Sequence, residues 1–344
     1  MADPALLNVK LLNAKLNIKQ ISETAIISSL DELLQFVQLT PETKAFAKLK
    51  LLNTPGTFPL RVPVAYAKRI KKGDPNDPLL KQILPVNEES QRHDDFLSDP
   101  VDDLNHQPVP GLIHKYSSRA LLITTGACSI HCRYCFRREF PYADFSLLNQ
   151  NLDAVISYLH QHKNIQEIIL SGGDPLTLSN RRLENLLEKL AEVAHLKHLR
   201  IHSRQPIVIP DRIDQELIDL LAQNRLKTCV VIHCNHGNEI DQAVLESLLR
   251  LHRAGIVLLN QSVLLKGVNN NLQTLSDLSL RLYEASVLPY YINVLDRVQG
   301  SVHFLVDDEA AKALIKGMRD KLPGYLVPRL VKDIPGKDAK TILA

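Results

Sequence analysis

The chain has 344 residues, enough for one large α/β domain or two smaller ones with a substantial buried core. At 45% hydrophobic and 23% charged it has the composition of an ordinary soluble globule. With 41 Lys and Arg against 38 Asp and Glu, the formal net charge is only +3, which argues against nucleic acid or an anionic membrane as the main partner and points to a small-molecule site. No apolar run reaches transmembrane length, and Lys10, Asn13 and Lys15 interrupt the only apolar stretch near the start, so a signal peptide is not expected. Five cysteines and no secretory segment fit a reducing, cytoplasmic setting.

Residues 1–107 read as a mostly helical accessory segment, with helical spacing of apolar residues over Ile21–Leu39 and Pro41–Leu52, the second opened by Thr40 and Pro41. Asn87–Asp103, rich in Asp, Glu and Ser, reads as an exposed loop. From residue 108 to about 300, β-branched runs alternate with amphipathic helical stretches at intervals of roughly thirty residues, the pattern of successive βα units on a parallel sheet. The candidate strands are Ala120–Thr125, Glu167–Leu170, Leu199–His202, Thr228–His233, Val257–Val263 and Tyr290–Leu295. Six parallel strands predict an open, partial (β/α)6 barrel, with residues 301–344 as a C-terminal helix and a tail that closes its mouth.

Chemistry in such sheets collects at the carboxyl ends of the strands. After the first candidate strand comes Cys128-Ser-Ile-His-Cys132-Arg-Tyr-Cys135, three thiols in one loop. Three thiolates on a cluster of four irons leave one iron open to an exogenous ligand, unlike the four-thiolate clusters of simple electron carriers. A structural zinc site is the rival reading, with His131 as fourth ligand, although zinc ligands usually arrive as two separated pairs. Ser171-Gly172-Gly173-Asp174 follows the second strand, where the glycines are expected to let backbone amides approach a bound ligand. Ser203-Arg204 follows the third strand, and His233 ends the fourth. Gln261 lies in the fifth and Asp296 follows the sixth. Cys229 and Cys234 read as packing residues.

The spacing with Tyr134 before the last cysteine resembles the radical S-adenosylmethionine (SAM) superfamily. A longer series of motifs resembles its lysine 2,3-aminomutase family: Gly73-Asp-Pro-Asn-Asp-Pro78, Val109-Pro-Gly-Leu112, Cys135-Phe-Arg-Arg138, Ser171-Gly-Gly-Asp-Pro175, Asn260-Gln-Ser-Val-Leu-Leu265 and Asp333-Ile-Pro-Gly336 with Lys340. The resemblance covers about residues 60–344. It implies a [4Fe–4S] cluster on Cys128, Cys132 and Cys135, SAM beside Ser171, Gly172, Gly173 and Asp174, and pyridoxal 5'-phosphate (PLP) carried by Lys340. It also implies conversion of L-lysine to β-lysine through a deoxyadenosyl radical.

By the same resemblance, Lys115, Tyr116 and Arg119 contact PLP, Arg137 grips the substrate carboxylate, and Asp296 and Asp333 hold the side-chain ammonium. His233 and Gln261 are further cofactor-pocket candidates. The family's glycine run before the PLP lysine is replaced here by Gly336-Lys337-Asp338-Ala339, which leaves Lys337 as a rival amine. Only four residues follow Lys340, as in the short branch of the family, whose (R)-β-lysine reaches elongation factor P through a lysyl-tRNA-synthetase-like ligase. No tail zinc site is expected. A free-standing aminomutase for lysine or another amino acid, and a non-catalytic zinc or cluster-binding interaction protein, stand as alternatives.

Overall fold

The computed structural model describes residues 22, 24–52, 58–142 and 151–344. Ile21 and the segment bearing Lys10, Asn13 and Lys15 lie outside the described residues. A small antiparallel ladder of β1 (Ile26–Ile27) and β2 (Val62–Pro63) opens the fold. The main sheet has nine strands among the described residues. In chain order these are β3 (Leu112–Tyr116), β4 (Arg119–Thr125), β5 (Glu167–Gly172), β6 (His198–Ser203), β7 (Lys227–His233), β8 (Val257–Val263), β9 (Leu288–Asn293), β10 (Arg329–Lys332) and β11 (Thr341–Ile342).

Neighbours in sequence are neighbours in space from β3 to β11, and the two edges do not pair with each other, so the barrel is open. β4 to β10 run parallel, while β3 and β11 are antiparallel edges. The expected six-stranded parallel unit is therefore present and extended on both sides. β11 pairs Thr341 with Lys332 and Ile342 with Val331, and this hairpin turns the C-terminal tail back at the barrel mouth.

The crossover helices are specified locally. Helix Asn180–Ala191 places Leu183, Leu186, Leu187 and Leu190 at helical spacing on one buried face, each side chain contributing about 2 kcal/mol by leaving water. Ser179 caps its first turn through Arg182 N. Asp214, Asp241, Asn271 and Asp307 cap the helices starting at Gln215, Gln242, Leu272 and Asp308 in the same way. One continuous core runs from Ile27 through the barrel to Val287, so the N-terminal segment shares the barrel's interior packing.

Two N-terminal expectations need correction. Among the described residues of Ile21–Leu39 the helix is confined to Leu30–Phe36, because Ile26 and Ile27 are used in β1. Within Pro41–Leu52 only a single 3-10 turn forms, Phe46–Lys48; Thr43 turns its hydroxyl onto the Thr40 carbonyl and takes the Phe46 N–H, diverting the backbone from an α-helical ladder. Apart from a 3-10 turn at Asn87–Ser90, Asn87–Asp103 is irregular, as expected, but not simply exposed. Phe96, Asp103 and the side chain of Glu89 are buried within it, and the two acids meet arginines of the cysteine loop.

Candidate active site

A cavity of about 490 Å³ fills the barrel and opens at the carboxyl ends of the strands. Strand alternation turns Leu121, Ile169, Ser171, His202, His233, Gln261, Val263 and Asn293 into it. All three loop cysteines line the cavity, together with Lys115, Tyr116, Arg119, Arg137, Asp296, Asp333 and Lys340. Residues separated by more than 200 positions in sequence thus share one chamber. Lys337 does not line it; that residue sits on an exposed turn beside a smaller cavity of about 190 Å³.

The cysteine loop is built by its neighbours. Gly172 has φ +117°, and a Cβ there would stand 2.7 Å from the Thr125 carbonyl oxygen; at Gly173 it would stand 2.3 Å from that of Ala127. The Gly173 and Asp174 amides donate to those two carbonyls at 2.6 and 2.8 Å. These glycines therefore let the loop pack against the end of β5, and both also line the cavity. Asp174 is a buried tie, its carboxylate accepting from Ser203 Oγ at 2.7 Å, Arg204 N at 2.7 Å, Leu176 N at 3.0 Å and Gln205 N at 3.2 Å. Burial pushes its pKa up against those donors.

Three thiols and no competing partner set make the loop a fit for an iron–sulfur cluster. Burial raises the pKa of Cys128 well above the ordinary thiol value and that of Cys135 to about 11, so cluster binding displaces protons from the loop. His131 is turned away from them: its Nδ1 lies 2.9 Å from the Pro59 carbonyl and its ring stacks on Phe58. Among the described residues no three His, Cys, Asp or Glu side chains converge to hold a single metal ion. Cys234 is fully buried, whereas Cys229 is only partly buried, near Arg200 and Glu167 at the far end of β7.

Two carboxylates from the acidic stretch neutralise the arginines around the loop. Glu89 Oε2 lies 2.5 Å from Arg133 Nη2 and 2.8 Å from Arg138 Nη2, and all three side chains are buried. Burial works to raise the Glu89 pKa, but Arg133 and Arg138 outweigh it and hold the group below its usual range. Removing one member of such a buried set strands the opposite charge, at a cost of about 3–5 kcal/mol. Glu89→Gln is therefore expected to lower the urea midpoint by that equivalent and to reduce iron retention on dilution; a midpoint unchanged from the parent would show that the set does not clamp the loop.

Asp103 does the same for the cavity. It accepts from Arg137 Nε and Nη2 at 2.9 and 2.8 Å and from Lys115 Nζ at 2.6 Å, while Lys115 also reaches the Val101 carbonyl. Arg137 Nη1 donates to Ser171 Oγ at 3.1 Å, which leaves one N–H on each terminal nitrogen for a ligand. Arg119 stacks on the Tyr116 ring at 4.2 Å and, among the described residues, has no carboxylate partner, which suits a phosphate. Lys340 Nζ lies 3.0 Å from Asp333 Oδ2, and Tyr116 Oη lies 3.4 Å from Asp333 Oδ1. Burial raises the Tyr116 pKa to about 12, with Asp333 adding to it. These residues fit PLP: an amine at the cavity wall, a ring to cover a flat ligand and a spare cation.

Asp296 stands apart. Among the described residues no hydrogen bond or ion pair reaches its carboxylate, and burial raises its pKa to about 6, with Lys340 opposing and Asp333 adding. His233, near Tyr134 Oη at 3.3 Å, is held neutral, its pKa lowered to about 3 by burial and by Arg204. Gln261 lies opposite it on β8. Sequence reading missed Glu89 and Asp103 as site builders; the available signal was an acid-rich stretch in the same chain as an arginine-rich cysteine loop. It also missed the buried assembly of Arg204, Glu239, Gln82 and Tyr134 behind Cys132.

Residues 122–278 match the Radical SAM superfamily model. The L-lysine 2,3-aminomutase of Escherichia coli (strain K12) is 43% identical over 318 residues, 92% of this chain and 92% of that protein. That of Buchnera aphidicola is 42% identical over 317 residues with the same coverage of both. The L-lysine 2,3-aminomutase of Clostridium subterminale is 36% identical over 321 residues, 92% of this chain and 75% of its own length.

Proposed function

Since this chain belongs to the L-lysine 2,3-aminomutase family of radical SAM enzymes, we propose that it converts L-lysine to (R)-β-lysine with a [4Fe–4S] cluster, SAM and PLP. The observation that carries the reading is the set of charges in one cavity, whose wall brings Arg137 and the three cysteines together with Asp296, Asp333 and Lys340. In this reading the cluster and SAM would supply a hydrogen-abstracting radical, and PLP a conjugated ring able to delocalise the unpaired spin.

The residues divide the remaining work. Arg137 offers its two free N–H groups to the α-carboxylate, oriented by Asp103 and Ser171. Arg119 and Lys115 face the phosphate, and Tyr116 covers the ring. Ser171, His233 and Gln261 line the side of the chamber assigned to SAM. Asp333 holds the Lys340 ammonium and, alongside Asp296, would supply the second carboxylate for the substrate's side-chain ammonium. Two carboxylates at that end disfavour an acidic substrate such as glutamate.

The test is anaerobic reconstitution with iron, sulfide, SAM, PLP and dithionite, followed by chromatographic detection of β-lysine. Stoichiometric zinc without iron would sink the proposal. The Asp296 role has a pH signature. Its pKa of about 6 lies above the value of about 3.9 in an unfolded chain, so the folded state binds the extra proton and loses stability as pH rises through that window. A bound ammonium offsets that loss only while the carboxylate is ionised. Lysine affinity is therefore expected to weaken as pH falls below about 6, and Asp296→Asn to remove that pH step; a step retained in the variant would refute the role.

We further propose delivery of the β-lysine to elongation factor P through a lysyl-tRNA-synthetase-like ligase. The support is the motif resemblance together with similarity over 92% of both chains to L-lysine 2,3-aminomutases such as that of Escherichia coli. Transfer of labelled product to the factor, in a mixture of the three proteins, tests it. No helix among the described residues is long and apolar enough to cross a membrane.

A further inference from the structure

Behind the cysteine loop, Arg204 brings a buried positive charge directly to a ligand sulfur. Its Nη1 lies 2.6 Å from Cys132 Sγ and 2.8 Å from Tyr134 Oη. Its Nη2 donates to Gln82 Oε1 and Glu239 Oε2, both at 2.8 Å. Arg204 is 6% exposed and Glu239 0%. The acid is fixed in turn by Gln82 Nε2 at 3.1 Å and by the Asn235 and His236 amides at 2.9 and 3.1 Å. Asn235 Nδ2 also donates to Tyr134 Oη at 2.7 Å. Elements from the accessory segment, the cysteine loop and the end of β7 therefore hold the guanidinium rigidly, with its positive edge on sulfur and its counter-ion on the opposite side.

We infer that Arg204 is a positioning residue that sets the reduction potential of the cluster, with Glu239 as its counterweight. This rests on the cluster reading above. A low-potential one-electron donor supplies the electron that takes [4Fe–4S]2+ to [4Fe–4S]+, and no proton accompanies it, because an arginine stays charged throughout. The added negative charge spreads onto the ligand sulfurs. A fixed N–H donor and a largely buried cation at Cys132 stabilise the reduced form more than the oxidised one and raise the potential. Glu239 lies on the far nitrogen, so it offsets the cation only in part. Four partners on its two terminal nitrogens keep the guanidinium from swinging away to solvent, while its buried Nε has no partner among the described residues.

The experiment is a redox titration of the anaerobically reconstituted full-length protein without SAM, followed by the electron paramagnetic resonance signal of the reduced cluster, with iron and sulfide measured on each sample. Arg204→Met is expected to lower the potential by at least a tenfold change in the reduction equilibrium, about 59 mV for one electron. Arg204→Lys is expected to shift it less in the same direction, and Glu239→Gln to raise it. A merely structural role would change cluster content without moving the potential of the clusters that remain. Parent potentials in Arg204→Met and Glu239→Gln at full iron content would overturn the inference while leaving the aminomutase reading intact. Where Arg204→Met fails to load a cluster, unshifted potentials in Arg204→Lys and Glu239→Gln overturn it equally. A parent protein without iron would remove the cluster reading and this inference together.

Discussion

Cys128→Ala, Cys132→Ala and Cys135→Ala are each expected to abolish cluster loading and SAM cleavage. The loop supplies three thiols and no spare: His131 is committed to the Pro59 carbonyl, and Cys234 is buried on its own hydrogen bond to the His236 carbonyl. A lost ligand therefore has no replacement nearby, and a two-thiolate loop cannot hold a four-iron cluster. Cys229→Ala is the control. That thiol lies among Arg200 and Glu167, away from the loop, and its loss is expected to leave iron content and deoxyadenosine production near the parent values. Both quantities are read after anaerobic reconstitution. Full deoxyadenosine production in any of the three loop variants would refute the ligand assignment.

The loop was legible because its information is local: eight residues carry all three thiols at a spacing that only a tight wrap satisfies. The central strands were legible for a similar reason, since buried parallel strands must be β-branched and apolar whatever surrounds them. The edges were not. β11 is two residues long and exists only through its pairing with β10, and β3 carries His114, Lys115 and Tyr116 half-exposed on its second half. The acidic stretch misled for a different reason. Its composition is that of a solvated loop, and the arginines that bury Glu89 and Asp103 lie more than 30 residues away in sequence, so nothing local marks the pairing. Asp174 and the two glycines were found by motif, yet their job of anchoring the cysteine loop became visible only when the loop's backbone was in place.

Lys340→Ala is expected to abolish PLP attachment and aminomutase activity, whereas Lys337→Ala is expected to retain both. The difference is positional. Lys340 Nζ reaches into the main cavity and is held by Asp333, while Lys337 projects from the exposed turn closed by its own amide on the Ile334 carbonyl. A lysine that forms a covalent link to an aldehyde must present its amine in a fixed place within reach of the bound cofactor, which the cavity wall supplies and an exposed turn does not. The tail reaches this position because β11 pairs back onto β10 immediately after Lys340. Deleting residues 338–344 removes that strand together with the amine, so the truncated protein should lose PLP but keep its iron, which is held by a loop after β4 rather than by the tail. Borohydride treatment after PLP loading, followed by peptide mapping, reads the outcome. Label on the peptide containing Lys340, absent from Lys340→Ala and present in Lys337→Ala, is the expected result. Label on Lys337, or PLP retained at parent stoichiometry after the deletion, would overturn the assignment.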